Sequence, residues 1–146
     1  AYDADNAELI YSYQGWTQSY KGKFTYGSFS FEPELYLLEN TAAPTNNKGQ
    51  SYTLASSYRR GTNKFTLYLQ SFRTEKDATI GYYQSRRFNH VNHQGQSIEL
   101  EYLDEASSFE LSLVYKTMKE IDPNQFLDRD EVNNVALVLR KTYDIF

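Results

Sequence analysis

The chain contains no cysteine, so neither disulfides nor thiolate metal sites hold it together. That absence suits the cytosol, the periplasm and an outer membrane equally. Nowhere does an apolar run approach the roughly 20 residues that a membrane-spanning helix needs. No glycine-rich phosphate loop is present. Basic charge is also short: 15 Lys and Arg stand against 19 Asp and Glu, a net charge of −4 with pI near 5.2. Nucleic acid is therefore not expected as a partner, because binding phosphate backbones needs a basic surface. The few basic pairs, Arg59-Arg60, Arg86-Arg87 and Arg140-Lys141, read as solvated strand ends. The 146 residues contain no long linker and are expected to form a single all-β domain, residues 1–146. A start at Ala1 rather than Met is what a processed, exported product would show, although trimming gives the same start.

What is abundant is aromatic. Fourteen Tyr and nine Phe accompany a single Trp and a single Met. Tyrosine favours strands and places where one end of a side chain is wet and the other dry. Segments of period-two alternation recur between turn-rich breaks, the pattern of an antiparallel meander. Strands are predicted near 8–14, 23–31, 34–38, 51–59, 64–72, 79–87, 97–103, 109–118 and 132–143. The second and third are expected to be one strand bent at Pro33. There the apolar phase shifts from Phe24 and Tyr26 to Phe29 and Phe31, which suggests a bulge. Short polar links at 60–63, 74–77 and 104–108 imply hairpins. Longer breaks fall at 40–50, 89–96 and 120–131, and in the last Asp122-Pro123 could start a short helix.

The strands have two unlike faces. One reads Tyr52-Leu54-Ser56-Tyr58, Phe65-Leu67-Leu69, Ala78-Ile80-Tyr82, Ile98-Leu100-Tyr102, Phe109-Leu111-Leu113-Tyr115 and Val135-Leu137-Leu139. Aliphatics occupy the middle of these stripes and aromatics tend to close their ends. The other face is small, hydroxylated and charged, with little lysine. Glu99, Glu101 and Glu110 set against Arg59, Arg87 and Arg140 would form an internal polar network. This order resembles small outer-membrane barrels as a class: an apolar band edged by aromatic girdles outside, small polar residues inside. Phe146 at the chain end fits that pattern in type, but the phase of Leu137, Leu139, Tyr143 and Ile145 puts it on the other face. A soluble calyx of lipocalin type, or a β-sandwich, accounts for the same alternation.

Residues with catalytic potential are few. His90 and His93 offer two metal ligands without a third, and read better as a polar loop. The acidic run 122–131 lacks the central glycine of a calcium loop and places Phe126 where a ligand should stand. Glu99 and Glu101 share a face about 6.6 Å apart, within reach of paired acid–base work, but charged ladders on sheets are usually structural. No catalytic residue, metal or cofactor is therefore expected. The strongest binding surface is aromatic: Tyr11, Tyr13, Trp16, Tyr20 and Tyr26, joined by Phe24, for a glycan or a small apolar ligand. The expected fold is an all-β, antiparallel up-and-down barrel of eight or nine strands. The expected partner is a lipid bilayer or a partner subunit, in an outer membrane or an exported, periplasmic setting, with a structural, adhesive or assembly role.

Overall fold

The computed structural model describes residues 2–3, 8–9, 14–78, 92–121 and 132–142. Among these, every regular element is a strand. Two short strands, β1 (Tyr2–Asp3) and β2 (Glu8–Leu9), pair with each other. The main sheet holds β3 (Gly15–Lys21), β4 (Phe24–Tyr26), β5 (Phe29–Asn40), β6 (Lys48–Arg60), β7 (Asn63–Thr74), β8 (His93–Asp104), β9 (Phe109–Glu120) and β10 (Val132–Lys141). Its order is β10-β9-β8-β7-β6-β5-β3, with β4 also on β5, and every pairing is antiparallel. The all-β, antiparallel expectation is met. Among the described residues the sheet is open, with free edges at β3/β4 and at β10.

β3 and β4 form one ribbon in a single register on β5, from Gly15 opposite Asn40 to Tyr26 opposite Phe29. The interruption at residues 22–23 has a local cause. Gly22 N–H donates to the Pro33 carbonyl at 3.0 Å, but Pro33 has no N–H to return the bond. The sheet holds eight strands, within the expected eight or nine, and they align as seven ribbons because β3 and β4 share one register. The predicted continuous strand over 23–31 is corrected. A two-residue turn, Gly27-Ser28, joins Tyr26 to Phe29, with Gly27 at φ +56°. The phase shift read as a bulge is this turn, and glycine supplies its left-handed residue at no steric cost. β7 pairs directly with β8 over their full lengths. The predicted strand 79–87 and the helix suggested after Asp122 lie outside the described residues.

The two ends of the sheet differ. At one end the connections are tight: 27–28, 61–62 and 105–108. Gly61 takes φ +62°, and Asp104 accepts hydrogen bonds from Ser107 Oγ at 2.6 Å and Ala106 N–H at 3.1 Å. At the other end the connections are 41–47, 75–92 and 121–131. Asn40 ties two of these together: its Oδ1 accepts from Gln14 and Ala42 N–H, and its Nδ2 donates to the Asp77 carbonyl at 2.9 Å. The small buried cluster of Leu38 and Ala78, with Tyr36 against it, sits here.

Candidate functional site: two faces of one sheet

Residues directly opposite each other in antiparallel strands share a face, so the registers sort the whole sheet into two surfaces. The apolar face is organised in rows. The row nearest the tight turns runs Tyr26, Phe29, Tyr58, Phe65, Tyr102, Leu111 and Leu139, one residue from each ribbon. Five consecutive aromatics there make a continuous girdle. Ring centroids lie 4.8 Å apart for Phe29–Tyr58 and 5.0 Å for Phe65–Tyr102, and Phe109 extends the girdle 6.3 Å from Tyr102. The next row is Phe24, Phe31, Ser56, Leu67, Leu100, Leu113 and Leu137, followed by Gly22, Pro33, Leu54, Leu69, Ile98, Tyr115 and Val135. On β3, β5 and β6 a fourth row, Tyr20, Leu35 and Tyr52, continues the band. From Tyr58 to Tyr52, or from Phe109 to Tyr115, the band spans about 20 Å before the rings at its ends are added.

The opposite face carries Glu32, Glu34, Thr53, Ala55, Ser57, Thr66, Gln70, Glu99, Glu101, Ser112 and Lys116, among others. Burial runs against chemical character. Among the described residues, every large hydrophobic residue more than a third exposed lies on the apolar face, except Val132. Leu137 is 70 % exposed, whereas Ser51, Thr66 and Ser112 on the polar face are 1–3 % exposed. The hydroxyls of Thr66 and Thr74 are buried without a hydrogen-bond partner.

The polar face closes over two glycine contacts. Phe72 stands opposite Gly95, and Leu38 opposite Gly49. A Cβ on Gly95 would collide with the Thr117 carbonyl oxygen and with Met118. From β9, Lys116 Nζ reaches to 5.3 Å from the Phe72 ring centroid, two strands away. A cleft of about 390 Å³ on this face is lined by Glu34, Tyr68, Gln70, Glu99, Val114 and Lys116, among others. At the turn end, the Ser107 hydroxyl, aided by the Ala106 N–H and Thr62, holds the Asp104 carboxyl below the usual carboxylate range.

Of the predicted polar network, Glu99, Glu101, Glu110, Arg59 and Arg140 share the polar face. Arg140 pairs with Glu110 at 2.9 Å on adjacent strands. Arg59 pairs at 2.7 Å with Glu105 in a turn instead. Arg87 lies outside the described residues. Lysine is not thin here: Lys21, Lys23, Lys64 and Lys116 all fall on this face. Lys21 and Lys23 pair with Glu34 at 3.4 Å and Glu32 at 2.8 Å. Sequence reasoning missed Glu32, Glu34 and Lys116 because it lacked the register that sets β5 and β9 around the same cleft.

Of the predicted aromatic site, Tyr11 and Tyr13 lie outside the described residues. Trp16, Tyr20 and Tyr26 share the apolar face but are strung along one ribbon over about 33 Å. They therefore form parts of a band rather than one pocket. Trp16 alone lines a cleft, with Leu37, Glu39, Lys48, Gln50 and Arg73. Among the described residues, no group of three His, Cys, Asp or Glu could hold a metal ion. No known protein family, curated protein or solved structure matches this chain.

Proposed function

We propose that this sheet is the wall of a membrane β-barrel, with the apolar face against lipid and the polar face lining the interior. The observation that carries it is the inversion of burial: leucines exposed on one face, serines and threonines buried on the other. In a water-soluble sheet the sign is reversed, because exposing a contiguous apolar surface costs about 25 cal/mol per Å². The girdle from Tyr26 to Phe109, and Tyr20, Tyr52 and Tyr115 at the far border, suit the two headgroup levels of a bilayer. Small residues and paired charges suit a narrow interior.

Two corollaries follow. β3/β4 and β10, the first and last of seven alternating ribbons, run in the same direction. A closed, wholly antiparallel barrel therefore needs an odd number of further strands between these edges. The tight turns face the periplasm and the longer connections the cell exterior, following the loop asymmetry of outer-membrane barrels. The role is structural, adhesive or assembly-related rather than catalytic, since a barrel of this order is filled by its own side chains.

Vesicle flotation provides the test. Refolded protein should float with phosphatidylcholine vesicles and migrate differently on a gel when unheated and heated. A monodisperse monomer in detergent-free buffer would overturn the proposal. It would favour instead a soluble binding module or, if the species is oligomeric, a partner subunit covering the apolar face.

A further inference from the structure

We infer that a notch on the outward face of β7–β9 binds the headgroup of an anionic, hydroxyl-rich lipid of the phosphorylated-sugar class, whose acyl chains lie along the adjoining band. The inference rests on the bilayer reading above and adds a site to it. At the level where β3, β5 and β6 carry Tyr20, Leu35 and Tyr52, the same row continues as Ser71, Gln96 and Thr117. The row beyond adds Gln50, Arg73, Gln94 and Lys119. The apolar band thus stops one row early on three strands, and amides and cations replace it.

These residues, with Tyr52, line a cleft of about 440 Å³ whose wall, among the described residues, includes no carboxylate. Arg73 is oriented there, since its Nη1 donates to Gln94 Oε1 at 2.8 Å. Glu75, 3.8 Å from the other guanidinium nitrogen, flanks it from outside the cleft lining. The remaining guanidinium donors and the exposed Lys119 ammonium match phosphate oxygens. Glutamine amides, which both donate and accept, match sugar hydroxyls. The corresponding border at the tight-turn end differs: Arg60, Asn63, Asp104, Phe109 and Lys141 mix both signs of charge. The notch also lies on the long-connection side, which the proposed orientation places in the outer leaflet.

The test is titration of the detergent-solubilised protein with lipid A, phosphatidylglycerol and phosphatidylcholine, counting bound lipids by native mass spectrometry. Lipid A should be retained most tightly and phosphatidylcholine least. The double variant Arg73→Gln/Lys119→Gln should lose about tenfold in lipid A affinity, roughly one charge-assisted contact, with phosphatidylcholine retention unchanged. Lys119→Gln alone, at an exposed position that cannot disturb the fold, should lose part of it. A matched pair at the other border, Arg60→Gln/Lys141→Gln, should bind like the parent. Equal retention of the three lipids, unchanged lipid A binding in the double variant, or an equal loss in the matched pair would overturn the inference. Flotation separates the two levels. Failure to float with any vesicle defeats the bilayer reading itself, whereas flotation without lipid A preference defeats the headgroup site alone.

Discussion

Ser112 and Leu113 are neighbours on β9 and meet opposite environments. The serine is 3 % exposed and the leucine 45 %. The same reversal repeats from β5 to β9, between Leu38 or Thr66 on one side and Phe29 or Leu100 on the other. A strand can only choose which face turns inward, since its side chains alternate strictly. Here the face that turns inward is not the more hydrophobic one. Volume decides as much as polarity: Gly49 and Gly95 on this face leave room for Leu38 and Phe72 directly opposite them. The outward face needs no such fit, and its leucines stand in rows across the strands.

Substitutions can break this contrast, and the largest effect is expected at the centre of the apolar face. Leu100→Arg should destabilise vesicle-inserted protein by about 2–4 kcal/mol, the cost of a cation on a lipid face near the midplane. On a solvated face the same change stays within about 0.5 kcal/mol. Urea unfolding from vesicles distinguishes the two. Next comes Gly95→Ala on the polar face, where a methyl group meets the Thr117 carbonyl and Met118. A loss of about 1–3 kcal/mol is expected, the usual cost of overpacking. Thr66→Val goes the other way. It removes a buried hydroxyl without a partner, and a gain of up to about 1 kcal/mol in the urea midpoint analysis is expected.

The smallest effect is a pH dependence. Asp104, at the tight-turn end, carries it: the Ser107 hydroxyl holds its folded pKa below the unfolded value. Its stabilisation is present above the unfolded carboxylate pKa and is lost as pH falls through the folded one, which a pH series of unfolding curves reads. Glu110→Gln is expected to change little, because Arg140 opposite it is 68 % exposed and already solvated.

Much of this was legible in the sequence. Alternation within Phe109–Tyr115 and Tyr52–Tyr58 was enough to define both faces and their aromatic ends, because period two is a local property. The Arg60–Asn63 and Asp104–Ser108 hairpins were equally clear from their polar turn residues. Tyr26-Gly27-Ser28-Phe29 was misread because a two-residue turn and a bulge both shift the apolar phase, and Pro33 nearby suggested a bend within one strand. The partner of Arg59 was not legible. Which charges meet depends on register across three or four strands, and no segment of the sequence encodes that by itself. The girdle as a continuous row emerged only when the registers aligned one aromatic from each of five ribbons.

The most direct measurement of which face meets lipid is a nitroxide scan of residues 110–116 in vesicles. The chain has no cysteine, so each single-cysteine variant carries one label. Relaxation by oxygen, which concentrates in the bilayer, should peak at 111, 113 and 115. Relaxation by a water-soluble nickel chelate should be low at those three positions. Oxygen maxima at 110, 112 and 114, or high nickel accessibility at 111, 113 and 115, would contradict a lipid-facing apolar surface.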